Sequence, residues 1–157
     1  MAPDFHLFDV LRNHGVPFVI VGGHAVNFHG HKRATEDADA VWFRSAESEL
    51  ALLAALTEVR AVYIGKEIDP ATRIERNYPV TLSYIQSTHL MMLWTDDGFL
   101  DLFDYIPSFP TEDVEQLRAT SVEADGFRYI SLPWLHKLKQ KAGRMKDLLD
   151  LQNLPPE

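Results

Sequence analysis

Hydrophobic and polar positions along the chain fall into blocks that switch between helical and strand periods. Phe5, Leu7, Phe8 and Leu11 form an apolar stripe and Gly15 a stop, which predicts a helix over 5–13. Phe18 to Val21 is apolar at every position and predicts an internal strand. Gly22-Gly23 turns the chain into a short helix from His24 to about His29, ended by Gly30. Residues 37–43 predict a second strand, and Ser45 caps a helix over 46–58 with Leu50, Leu53, Ala54 and Leu56 inward. Ala61 to Ile64 suggests a short strand, with a turn at Asp69-Pro70. Val80, Leu82 and Tyr84 alternate with Thr81, Ser83 and Ile85 as in a half-buried strand.

Leu90–Thr95 and Phe99–Tyr105, joined by Asp96-Asp97-Gly98, predict a hairpin. Thr111 is placed to cap a helix over about 112–119, and Asp125-Gly126 to turn a small hairpin between 121–124 and 127–130. From Ser131 the chain is helical, with Leu135, Leu138, Ala142, Met145 and Leu149 as the buried stripe. Gly143 weakens or divides that segment, and Pro155-Pro156 ends it. Helices and strands in this order predict an α+β fold: a mixed β-sheet with flanking helices and a C-terminal helical segment. At 157 residues the simplest organisation is one domain, 1–157, with a core over about 5–110 and closing helices over about 131–154.

Chemistry enters at Asp37 and Asp39. Alternation along a strand puts both carboxylates on one face, where they repel unless a cation lies between them. Hard divalent cations prefer such oxygens. Gly22-Gly23, at the start of a helix, lets backbone N–H groups approach an anion. Together they suggest a metal–nucleotide site. A third acid is expected, and Asp101, inside apolar Phe99-Leu100-Asp101-Leu102-Phe103, is the choice because an acid there is costly unless paired or ligated. Asp104 points the other way and reads as a solvated strand-end residue.

Composition narrows the classes. Apolar residues at 46% and charged residues at 24% are ordinary for a globular protein. With no cysteine, disulfides and thiolate metal sites are excluded. The N-terminus lacks a secretory pattern and no apolar run spans a bilayer, so a cytoplasmic protein is expected. A net charge of −8 disfavours a broad polyanion interface, although Lys137, Lys139, Lys141, Arg144 and Lys146 crowd one segment. The G-x-G-x-x-G and P-loop spacings are absent. His24, His29 and His31 lack the i, i+4 spacing of a zinc site.

The motifs Gly22-Gly23-x-Ala25, Arg33-x-Thr35-x-Asp37-x-Asp39 and strand-borne Asp101 resemble the nucleotidyltransferase superfamily with a DNA polymerase beta-like palm. The Gly-Gly and Arg-x-Thr variant is similar to aminoglycoside and lincosamide nucleotidyltransferases and to abortive-infection toxin types. The resemblance covers residues 17–43, 99–106 and 131–151, but not 60–90. It departs at Ala38 and Ala40, where the family carries bulkier aliphatics, and in ending soon after the closing helices, so no separate acceptor-binding domain is expected.

The resemblance implies an enzyme that moves a nucleoside monophosphate from an NTP, ATP among the candidates, to an acceptor hydroxyl on a small molecule, an RNA end or a protein. It implies Asp37, Asp39 and Asp101 as catalytic residues and ligands of Mg²⁺ (or Mn²⁺), with Asp101 also the general base. Gly22, Gly23, His24, Arg33, Thr35, Lys139 and Arg144 are the implied nucleotide-binding residues, although the residues around His24 better suit a packed or capping histidine. A toxin–antitoxin setting with a cognate partner comes with the resemblance. The alternative is a non-catalytic nucleotide- or protein-binding module, antitoxin-like, on the same fold.

Overall fold

A computed structural model describes residues 5–35 and 37–157. Met1 to Asp4, which bear on the targeting expectation, and Glu36 within the acidic motif lie outside them. The chain forms an eight-stranded mixed sheet in the order β4-β3-β5-β6-β2-β1-β8-β7. Helix α1 (His6–Asn13) buries Leu7, Phe8, Val10 and Leu11, and the chain turns at Gly15 with φ +79. Strand β1 (Phe18–Val21) is buried along its length because it lies inside the sheet, between β2 (Asp37–Trp42) and β8 (Phe127–Tyr129). Helix α2 (Gly22–Phe28) starts directly at the first glycine, two residues sooner than the sequence suggests.

Helix α3 (Ala46–Glu58) is held by a reciprocal pair in which Ser45 and Ser48 each accept from the other's backbone N–H. Ser48 Oγ also donates to the Phe43 carbonyl, which fixes the helix's rotation. The inward residues are therefore Ser48, Leu52, Ala55 and Leu56, and Leu50, expected inside, is 59% exposed.

Strand β3 (Val62–Ile68) pairs with β4 (Glu75–Pro79) in a hairpin longer than the short strand expected. The alternation at 80–85 is not a strand. Thr81 caps the helix α4 (Leu82–Ser87) by accepting from the Tyr84 N–H at 3.1 Å, Ile85 is buried, and Tyr84 stacks on Tyr63 at 3.8 Å. A local capping residue here overrode a period of two over too few residues to be decisive.

Strands β5 (Leu90–Thr95) and β6 (Gly98–Phe103) form the expected hairpin. Helix α5 (Glu115–Ala119) starts later than expected, with Asp113 rather than Thr111 accepting from the Glu115 N–H. β7 (Val122–Ala124) and β8 make the small hairpin. Gly143, at φ +63, divides the tail into α6 (Leu132–Ala142) and α7 (Met145–Asn153). In α7, Met145 and Leu149 are 75% and 51% exposed, and the buried positions are Asp147 and Asp150.

The sheet separates two cores. Ala38, Ala40, Trp42, Leu100 and Leu102 pack with α1 and α3 on one face. Val19, Val21 and Val41 pack with Leu117 of α5 and Leu135 of α6 on the other. Ala38 and Ala40 are fully buried on the face away from the acidic side chains, in a layer shared with Met91, Leu93 and Leu100, so larger neighbours fill the space the alanines leave.

Candidate active site

Asp37 and Asp39 stand on β2 and Asp101 on β6, which run parallel with Asp39 directly opposite Asp101 and Asp37 opposite Phe99. Residues two apart share a face, so all three carboxylates rise from the same side of adjacent strands. The crowding is electrostatic. Burial, then the charges of Asp101 and Asp37, push the Asp39 carboxyl up to about 7, and Lys146 opposes the rise. Burial and Asp37 also raise Asp101, which shares a hydrogen bond with Asp39. Two carboxyls bonded to each other hold a proton between them.

The glycines explain themselves through their neighbours. Gly22 has φ +70, and a Cβ there would run into the Asp39 side chain, 2.9 Å from its Cβ. A Cβ at Gly23 would lie 2.7 Å from Thr35 Cγ2 and 3.3 Å from Arg33 Nη1. Gly22 thus makes room for Asp39, and Gly23 for Thr35 and Arg33, of the Arg-x-Thr-x-Asp-x-Asp stretch.

Beside the carboxylates lies a cleft of about 370 Å³. Gly22, Asp37, Asp39 and Asp101 border it on the sheet side, and Lys139, Arg144, Lys146 and Asp147 on the helical side. Gly23, His24, Arg33 and Thr35 do not border it. His24 packs edge-on to Phe5 and Phe8 at 5.5 and 5.4 Å, and its Nε2 is 3.2 Å from Thr35 Oγ1.

Much of the basic charge is spent inside the protein. Arg33 donates twice to Asp150, at 2.8 and 3.0 Å. Buried Lys139 sits between Asp147 at 3.2 Å and Asp150 at 2.9 Å, and Arg144 pairs with Asp147 at 2.7 Å. Burial would raise these two carboxyls, but the hydrogen bonds, from Arg144 and Lys139 to Asp147 and from Arg33 and Lys139 to Asp150, hold both below the usual range. Lys146, in contrast, makes no ion pair among the described residues and acts on Asp39. The sequence hid it within a basic run; its signal is its place in the first turn after the Gly143 break.

Asp104 is not solvated. Its side chain is 8% exposed and pairs with Arg44 at 2.9 Å, which also bonds Glu49 and the Ile85 and Thr88 carbonyls. His29 is engaged by the Ile130 carbonyl at 2.7 Å.

Three hard oxygen donors whose burial and mutual repulsion raise two of the carboxyls suit a divalent cation. Among the described residues no three such side chains already surround a common point, so a cation would have to draw the carboxylates together. Among the described residues no helix is long and apolar enough to cross a membrane.

No protein-family model matches the sequence. No curated protein matches it either. Two solved structures named "putative nucleotidyltransferase" are similar. One, from Thermotoga maritima, has 18% identity over 94% of this chain and 87% of its own, with a TM-score of 0.55. The other, from Helicobacter pylori, has 15% identity over 94% of this chain and 64% of its own, with a TM-score of 0.49. In fold, a mixed sheet with flanking helices, the chain is alike to the Thermotoga maritima protein.

Proposed function

We propose that the protein is a nucleotidyltransferase that moves a nucleoside monophosphate from an NTP to an acceptor hydroxyl. The observation that carries this is the register of β2 and β6, which sets Asp39 opposite Asp101 and Asp37 on the same face, beside a cleft. Mg²⁺ or Mn²⁺, held by these three carboxylates, would neutralise charge on the triphosphate and on the attacking oxygen. Asp101, on the strand beside Asp39 and at the border of the cleft, would take the hydroxyl proton. The Gly22 backbone N–H lies where the bordering cleft meets the start of α2, a favourable place for phosphate oxygens. Lys146 faces the cleft from the helical side and suits the triphosphate, with Arg144 beside it.

In this reading Arg33 and Lys139 contribute by fixing α7 through Asp150 and Asp147. His24 and Thr35 back the glycine turn. A toxin–antitoxin setting rests on the sequence resemblance and names no acceptor. The second reading, nucleotide binding without turnover, is favoured by the lack, among the described residues, of three acidic side chains already placed around one point.

Thermal melting with each NTP, with and without Mg²⁺, tests binding, and transfer from α-labelled NTP tests turnover. Stabilisation that needs both NTP and Mg²⁺ and is lost in Asp39→Ala supports the site. Stabilisation without any transferred label favours the second reading.

A further inference from the structure

The carboxylate face of the sheet is covered on only one side of the site. Val19, Val21 and Val41 are buried there beneath α5 and α6. On the other side, the same face carries Phe99, Met92, Trp94 and Ile64 at 44%, 66%, 55% and 59% exposure. Register makes these residues one floor that begins at the site. Met92 lies opposite Asp101, Trp94 opposite Phe99, and Val62, two residues before Ile64, opposite Trp94. The rings of Trp94 and Phe99 touch edge to face at 4.3 Å. At about 4.8 Å per strand, the row extends roughly 10 Å from Asp101 across β5 and β3. The opposite face of β5 and β6 is fully packed, with Met91, Leu93 and Leu100 at 0–1% exposure, so these two are settled strands with a bare apolar side.

We propose, building on the nucleotidyltransferase reading, that this floor docks the acceptor and that the acceptor is another polypeptide, laid over Trp94 and Met92 so that a hydroxyl side chain reaches Asp101. Three observations select that occupant. Phe99, Met92, Trp94 and Ile64 are uncharged and the protein carries a net charge of −8, so a nucleic acid would find aromatic faces there but no partners for its phosphates among these residues. The 370 Å³ cleft includes Asp101 and Phe103 but none of the floor residues, which leaves a small molecule only a flat, open surface. Trp, Phe, Met and Ile clustered with little charge are what the cores of protein interfaces are made of.

In the reaction the hydroxyl oxygen forms a bond to the α-phosphorus of the NTP. The bond from that phosphorus to the oxygen bridging to the β-phosphate breaks, pyrophosphate leaves with the electron pair, and the hydroxyl proton passes to Asp101.

The test supplies the full chain with Mg²⁺ and α-³²P-labelled NTPs, and offers it either nuclease-treated soluble protein from its own cells or RNA from those cells. A parallel sample carries photoreactive p-benzoylphenylalanine in place of Ile64. The expected result is label on a polypeptide other than this chain, and cross-linking of that same polypeptide from position 64. Labelling falls at least tenfold in both Trp94→Ser and Met92→Ser, while their NTP-dependent thermal shift is unchanged. Label on RNA, label on this chain alone, label indifferent to both substitutions, or an intact NTP shift with no labelled polypeptide overturns the assignment and leaves the nucleotide site standing. No NTP shift and no label on anything removes the nucleotidyltransferase reading and the docking assignment together.

Discussion

Gly22 and Asp39 occupy each other's space, and this is the tightest constraint in the site. A side chain at position 22 meets both a left-handed backbone and the Asp39 carboxylate. The backbone conformation alone costs about 1–2 kcal/mol for a non-glycine residue. Gly22→Ala is therefore expected to lower the melting temperature by roughly 5 °C or more and to weaken Mg²⁺-dependent NTP binding, both read in one thermal titration. Asp39 gives a second, pH-dependent expectation. Its carboxyl rises from 3.8 in the unfolded chain to about 7 in the fold, so the folded state favours the protonated form. Asp39 then costs nothing below pH 3.8 and an increasing amount as pH climbs to 7. Asp39→Asn should stabilise the protein at pH 8, by on the order of a few kcal/mol, and barely change it at pH 4. Equal effects at both pH values in denaturant melts would count against the crowded pair.

At the scale of elements, α6 and α7 are joined by charge where the sequence led us to expect an apolar stripe. Hydrophobic period placed Met145 and Leu149 inside, but Lys139, Arg33 and Arg144 draw Asp147 and Asp150 inward and rotate the helix. Lys139→Met leaves both acids buried with one partner fewer each, and should cost about 3 kcal/mol in a urea melt. Because both acids are held below their unfolded values, their contribution is complete above about pH 4 and is lost as pH falls through the lower folded range.

The same contrast marks what the sequence discloses. Strands β1, β2, β5 and β6 were legible because their apolar positions run unbroken or alternate with a period of two, and Asp37, Asp39 and Asp101 stood out against them. Helix α4 was not, because one Thr81 cap decides it, and the rotations of α3 and α7 depend on hydrogen bonds and ion pairs between residues whose meeting no local period encodes. Asp104 misled for the same reason: its partner Arg44 comes from another strand end.

For the whole molecule, one sheet divides the labour. Its α1 and α3 side supplies the continuous apolar core, while the other side is packed under α5 and α6, opens at the carboxylates, and stays bare beyond them. With a net charge of −8, an NTP bound as proposed would be opposed by the protein's overall field and would depend on a cation and on Lys146. Lys146→Ala should therefore weaken Mg²⁺–NTP binding several-fold in calorimetry with the fold unchanged, since its side chain makes no ion pair among the described residues.

The central claim is that Asp37, Asp39 and Asp101 act together on a metal-bound NTP. Transfer of label from α-³²P-NTP to acid-precipitable acceptor, compared for the unaltered chain, Asp101→Asn and an EDTA-treated sample, tests it most directly. Label is expected with Mg²⁺, none with EDTA, and at least a hundredfold less for Asp101→Asn. Label that persists in EDTA, or that Asp101→Asn leaves intact, would contradict it.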